Sequence, residues 1–243
     1  MHFFASIPST NTYALEAGNH GARHGSVFFA DEQTAGRGRS SHQWQSPAGC
    51  GVYASVLLRP AISPGDALWF SLATGLAALD AIQQVTTIKA DLRWPNDLML
   101  GKKKIGGILT EMNAEATRIR HMVIGIGINV LHPAFPPDLA PIATSLLIET
   151  GLAWSRQEIL IILLQSLHRE ISPLADPETS KAAQTSILDR IGNVSSWVRG
   201  KSVRIEEAEG FTGVTEGLDP RGFLRVRTPQ GIRTVLSGGV REI

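Results

Sequence analysis

At 243 residues and 43% hydrophobic content, the chain has enough apolar material for one large domain, or for a main domain with a small one attached. Lys and Arg total 23 against 22 Asp and Glu, so no global field draws it onto nucleic acid or an anionic membrane, and any anion site has to be local. The single cysteine, Cys50, excludes an internal disulfide and a cysteine-based zinc site, and it suits a reducing compartment.

Residues 1–8 have no basic region ahead of an apolar run, so they do not read as a secretory signal. The longest aliphatic run, residues 159–164, is far short of the ~20 residues a bilayer requires. A cytoplasmic location is the expectation. Ser9, Thr10 and Asn11 offer cap side chains ahead of Tyr13, Leu15 and Ala17, with Gly18 and Gly21 behind, which predicts a short helix. Residues 25–31 and 51–59, rich in Val, Phe and Tyr and bounded by turn residues, predict two strands.

Between those strands lies QTAGRGRSSHQW, residues 33–44, where Gly36 and Gly38 alternate with Arg37 and Arg39. Glycine carries no Cβ, so backbone amides can approach a ligand closely. Each guanidinium adds a planar fork of donors that fits a carboxylate or phosphate, and it stays charged at any physiological pH. Taken alone the run is equally an ordinary basic turn.

Leu68, Leu72, Leu76, Leu79, Ile82 and Val85 recur at intervals of three and four, predicting an amphipathic helix over residues 65–85 with one core-facing stripe. Residues 92–94, 105–112 and 121–130 predict three further strands, and residues 91–130 together a sheet meander. Ser155 with Glu158 forms a capping box ahead of a helically spaced apolar series ending at Ile171, and a second helix is predicted over 180–191. Beyond Gly192 four brief strand-like runs, 202–207, 211–218, 223–228 and 232–236, are separated by turn signals at Glu209-Gly210, Asp219-Pro220-Arg221-Gly222 and Pro229-Gln230-Gly231. That is the pattern of a small antiparallel barrel, which divides the chain into residues 1–195 and 196–243.

Read together, five segments carry chemistry: STN at 9–11, QTAGRGR with Trp44 behind it, RWPNDLML at 93–100, KKKIGGILTE at 102–111 and GIGIN at 125–129. Singly, each has an ordinary explanation as cap, turn or strand end. The last lacks the third glycine and following helix of a dinucleotide fingerprint, and no P-loop pattern is present.

In this order and spacing the set closely resembles the biotin protein ligases, also called biotin-[acetyl-CoA-carboxylase] ligases. The resemblance implies an α/β (α+β) catalytic domain of the kind shared with lipoate ligases and class II aminoacyl-tRNA synthetases, followed by a small SH3-like barrel. It implies biotin and ATP as substrates, with Mg²⁺, giving biotinyl-5′-AMP and then transfer to a lysine of a biotin carboxyl carrier protein or domain. By the same resemblance Arg37, Arg39 and Lys104 are the catalytic cations. Ser9, Thr10, Asn11, Gln33, Arg37, Gly38, Arg39 and Lys104 would hold biotin, and Arg39, Trp44, Asn96, Lys104 and Asn129 the nucleotide. Asp97 is the candidate metal ligand.

Arg93 stands where this family usually has lysine, and Gly238-Gly239-Val240 lacks an acid often found near the tail's end, so no site is assigned there. Ser9 begins its motif too close to Met1 for a winged-helix domain to precede it, so neither DNA binding nor repression is expected. No membrane partner is expected either. Exposed strand edges offer a route to a homodimer. The competing readings are a ligase for lipoate or another acyl group, a non-catalytic biotin-binding protein, and a nucleic-acid binder, the last opposed by the balanced net charge.

Overall fold

The computed structural model describes residues 1–39, 42–206 and 210–243. The sequence-based expectations that touch Ser40, Ser41, Glu207 and Glu209 fall outside those residues. In chain order the elements are β1 (His2–Ile7), α1 (Thr10–Asn19), β2 (Ser26–Gln33), β3 (Gly51–Leu58), α2 (Ala67–Thr86), β4 (Asp91–Arg93), β5 (Asp97–Leu100), β6 (Lys103–Ala114) and β7 (Ile119–Asn129). They continue with α3 (Leu146–Thr150), α4 (Arg156–Ala175), α5 (Ser180–Val194), β8 (Arg199–Glu206), β9 (Phe211–Leu218), β10 (Leu224–Thr228), β11 (Gly231–Val235) and β12 (Gly239–Glu242).

The first seven strands form one mixed sheet in the order β1-β2-β3-β7-β6-β5-β4. Only β1 and β2 pair in parallel; β4 to β7 are the expected antiparallel meander. The last five form an antiparallel sheet in the order β11-β10-β9-β8-β12. Four elements escaped the sequence reading. β1 is an exposed edge strand with only Ile7 buried, so it shows no alternation. β5 and β12 have four residues each and α3 five, too short for a periodic signal.

Helix α2 departs from expectation in its burial. Fifteen of its twenty residues are buried, which leaves only a short polar edge at Asp80, Gln83 and Gln84 to solvent and no single apolar stripe. It runs between the sheet, where Gly75 abuts Leu92, and the helices α4 and α5, and it also receives the turn at Gly222, against Leu68, Trp69 and Leu72. Ala73, Ala77, Ala78 and Ala81 make that crowding sterically feasible. The helices α2, α4 and α5 thus cover one face of the large sheet. Helix α1 packs on the other face over Phe28, Leu57 and Val123, and most of that second face is left for a site.

Candidate functional site

Side chains alternate across a strand, and this decides what the open face presents. In β7, Ile124, Ile126 and Ile128 point into the main core, while Gly125, Gly127 and Asn129 point to the other face. Their cross-strand partners share that face: Ser55, Tyr53 and Gly51 on β3, and Leu109 and Gly107 on β6 opposite Gly125 and Gly127. Asp97 on β5 pairs with Gly107 and continues the row. GIGIN therefore combines a core-facing isoleucine row with a bare patch, and the bareness is used. A Cβ at Gly125 would collide with Asn11 Oδ1, and one at Gly127 would lie 2.5 Å from Trp44 Nε1. At Gly107 it would lie 3.0 Å from Lys104 Cε.

At one end of this patch a polar network is fixed by α1 and β2. The Thr10 amide and hydroxyl both donate to Gln33 Oε1, at 2.9 and 3.0 Å, and Gln33 Nε2 donates to Ser46 Oγ at 2.9 Å. Ser55 Oγ lies 2.8 Å from Thr10 Oγ1 and 2.7 Å from Asn11 Oδ1. Asn11 Nδ2 donates to Glu111 Oε2 at 2.9 Å, and Arg37 closes the chain on Glu111 Oε1 at 2.8 Å. Ser9 plays the cap role: its hydroxyl accepts from the Thr12 amide, and it makes no bond to Gln33 or Ser55.

The Arg loop is itself a narrow hairpin. Gln33 N–H donates to Ser46 O, Trp44 N–H to Gly36 O and Gly38 N–H to His42 O, with Arg37 bridged to Gln43. The loop thereby lays Arg39 against RWPND, where Nη1 donates to Asn96 Oδ1 at 3.0 Å. Asn96 is held in turn by Ile108, donating through Nδ2 to its carbonyl and accepting its amide. Trp44 lies over Gly127, with Lys104 Nζ 5.3 Å from its ring centroid. The indole N–H is buried and has no hydrogen-bond partner among the described residues.

Lys104 is itself paired, Nζ to Asp97 Oδ1 at 2.5 Å, while Arg93 takes Asp97 Oδ2 at 2.6 Å. Burial alone would raise the Asp97 pKa, but Lys104 and Arg93 outweigh it and hold the carboxyl below its ordinary 3.8. A depressed carboxylate stabilises the fold above its unfolded pKa, and that contribution is lost as pH falls through the lower folded value. Asp97→Asn is therefore expected to lower stability at pH 7 and to converge on wild type at an acid pH where the folded carboxyl is also protonated. Urea titrations at the two pH values measure this, and an equal deficit at both would contradict it.

With both Asp97 oxygens engaged by cations, the donor set does not fit a magnesium ion held by this residue. Among the described residues no group of three or more His, Cys, Asp or Glu could hold a metal.

Two adjoining cavities open over the patch. One of about 510 Å³ is walled by the Arg loop, Leu109 and Glu111. Thr10, Asn11 and Gln33 are not on its wall: they form the network that carries Glu111 and Arg37. The second, of about 750 Å³, brings together Arg39, Trp44, Asn96, Asp97, Lys104 and Asn129, and it shares Gly38, Arg39, His42 and Gln43 with the first. The carboxamide of Asn129 is turned away to donate to Thr144 O at 3.0 Å.

Several lining groups were not anticipated. Phe135 and Ile142 come from the connection after β7, which pairs with Lys104 through the Ile142 carbonyl and the Thr144 amide. Phe135 stacks on His132 at 5.1 Å, a buried imidazole whose pKa burial pushes down to about 4. Trp197, Glu206 and residues 238–243 bring the C-terminal sheet onto the same cavity, and residues 238–240 are the segment to which no site is assigned from sequence. Ser46, Ser55 and Glu111 complete the polar network.

Two adjoining recesses, walled by an arginine hairpin and a lysine over a glycine-floored mixed sheet, are built to hold and neutralise anions, as an acyl-activating ligase requires. Residues 3–129 match the biotin/lipoate A/B protein ligase family and residues 199–240 the biotin protein ligase C terminal domain; the chain belongs to this family. It is 35% identical over 237 residues to the bifunctional ligase/repressor BirA of Bacillus subtilis, covering 96% of this chain and 71% of that protein. It is 33% identical over 239 residues to the biotin--[acetyl-CoA-carboxylase] ligase of Mycobacterium tuberculosis, covering 96% and 84%. The structure superposes on the biotin protein ligase from Aquifex aeolicus in complex with biotin and ATP with a TM-score of 0.84 at 28% identity, over 99% of this chain and 98% of that one. The catalytic part is therefore of the expected class II synthetase-like type, and the small antiparallel unit follows it.

Proposed function

We propose that the chain is an ATP-dependent biotin ligase. It activates biotin to biotinyl-5′-AMP and transfers the biotinyl group to a lysine of a biotin carboxyl carrier protein or domain. The observation that carries this reading is the convergence of Arg39 and Lys104, 65 positions apart in the chain (104 − 39 = 65), on one cavity beside Trp44. Activation drives a carboxylate against an α-phosphate, two anions, so fixed cations lower the barrier by electrostatic preorganisation.

In this reading biotin occupies the smaller cavity. Thr10, Asn11 and Gln33 lie behind its Glu111 wall and reach the ureido ring as that network opens, exchanging bonds now made among themselves, and Arg37, Gly38 and Arg39 hold the biotin carboxylate and the adenylate phosphate. The nucleotide occupies the larger cavity, with Trp44, Asn96 and Asn129 around the base and Lys104 at the reacting centre; an acceptor on the base would satisfy the orphaned indole N–H of Trp44. A site built to pair ureido donors and acceptors leaves them unpaired around a ring that lacks them, a penalty that reaches ~10⁴-fold. Residues 1–195 are the catalytic domain and 196–243 a small domain closing the larger cavity.

Among the described residues no helix is long and apolar enough to cross a membrane. The carrier, the cytoplasmic location and Mg²⁺ accompanying ATP belong to the same reading, as does pairing of two copies along an exposed edge such as β1. Pyrophosphate exchange into ATP tests the activity: exchange stimulated by biotin and not by lipoate is expected, and the reverse would overturn the substrate. For Arg39→Ala, with its bridge to Asn96 lost, escape of biotinyl-adenylate is expected to rise about tenfold or more. AMP release in the absence of carrier measures it, and an unchanged rate would remove the loop from its shielding role.

A further inference from the structure

The RWPND turn is fastened to the C-terminal sheet at a residue that takes no part in the chemistry described above. Trp94 is 2% exposed, and its indole N–H donates at 2.9 Å to the carbonyl of Gly222. Gly222 sits in the turn between β9 and β10, at φ +87°, a left-handed conformation that favours glycine. Asp219 locks that turn, accepting the amides of Arg221 and Phe223 at 2.8 and 3.0 Å. The turn is wedged against α2, where a Cβ at Gly222 would stand 3.0 Å from Leu72.

A second tie lies one residue away. Arg93, which holds Asp97, stacks 5.2 Å from the centroid of Trp197, a buried residue leading into β8, and Lys201 of β8 covers the same ring at 4.8 Å. The catalytic part and the C-terminal sheet thus grip Arg93 and Trp94 together, immediately before Asn96 and Asp97.

We propose that Trp94 and Trp197 are positioning residues through which the C-terminal sheet sets the placement of Asn96, Asp97 and Lys104 at the reacting centre. The physical reason is geometric. β4 and β5 are short strands, three and four residues, at the edge of the large sheet. Such an edge hairpin has few ladder bonds to hold it to a fraction of an ångström, and a 1 Å misplacement of reacting groups costs about 10²-fold in rate. The two tryptophans supply the missing restraint from the opposite side.

This inference rests on the adenylating reading of the site, and its test separates the two. Trp94→Phe removes the N–H together with the pyrrole half of the indole, and so also leaves a buried cavity; Gly222→Ala leaves the indole whole and disturbs the acceptor from the far side of the contact. Both are assayed well below their melting temperatures, with the folded fraction measured. Each variant is expected to lose about tenfold in kcat for adenylation while the KM for biotin stays within twofold, because the smaller cavity does not include this hairpin. Crystal structures of the variants are expected to show the Lys104–Asp97 pair opened beyond 4 Å. Lower melting temperatures with kcat and the Asp97–Lys104 geometry unchanged would reduce Trp94 to a packing residue and overturn the proposal. Absence of adenylation in the wild type would instead count against the site's function, leaving the crystallographic readout to decide the coupling.

Discussion

Lys104→Ala is expected to reduce biotinyl-adenylate formation by about 10³-fold while biotin still binds within a few-fold of wild type. Lys104 Nζ stands between the Asp97 carboxylate and the Trp44 ring, on the wall of the larger cavity and outside that of the smaller one. Removing it withdraws a fixed positive charge from the place where two anions meet, and one well-placed electrostatic group is worth about 10²–10³ in kcat. Its loss also leaves Asp97 with Arg93 alone, so local negative potential increases as well. The fold tolerates the change, because the lysine is partly solvated, with 29% of its side chain exposed, and its backbone bonds to Ile142 and Thr144 remain. Lys104→Arg restores charge but not a compact ammonium over Gly107, so partial recovery at most is expected. Biotin-dependent pyrophosphate exchange, with biotin binding measured separately by calorimetry, checks both halves. Unchanged exchange would remove Lys104 from the reacting centre.

The parts of this site that were legible in the sequence are those whose signal is local. A lysine directly before a glycine pair, an amide after a Trp-Pro turn, and arginines alternating with glycines can each be read within a few residues. What was not legible depends on register and docking. Ser55 and Glu111 sit mid-strand, and nothing marks them until β3, β7 and β6 are aligned and their shared face is known. Residues 238–243 reach the cavity only because the C-terminal sheet packs against the edge hairpin, a contact between segments more than a hundred positions apart. The stripe expected on α2 failed for a related reason. Its leucines did mark a buried face, and Leu68 and Leu72 receive the Gly222 turn, but the remaining buried positions are mostly alanine, with Trp69 and Phe70, and carry no period of their own. Ser9 shows the converse: its motif was real, and its geometry is that of a helix cap.

Gly127→Ala is expected to raise the KM for ATP by at least about tenfold while leaving biotin affinity near wild type. Gly127 faces the site between Tyr53 and Gly107, and a methyl group there would lie 2.5 Å from Trp44 Nε1 and 2.6 Å from Cε2. Real Cβ atoms do not approach that closely, so either the indole or the strand moves. β7 lies between β3 and β6 with a continuous ladder on both sides, so the strand holds and the indole is displaced. Trp44 is tied to the Arg loop by the hydrogen bond its backbone N–H donates to Gly36 O, and the displacement carries over to Lys104, whose ammonium rests over the ring. Overpacking of this kind costs about 1–3 kcal/mol, and a loss of 1.4 kcal/mol in nucleotide binding is the tenfold effect expected. The smaller cavity should escape, because neither Trp44 nor Gly127 lines it. A double-mutant cycle tests the route directly: in a Trp44→Ala background the added methyl has nothing to strike, so Gly127→Ala should then cost little more in ATP KM. Additive penalties would mean that the glycine acts through the strand itself, and the indole would lose its place in the nucleotide pocket.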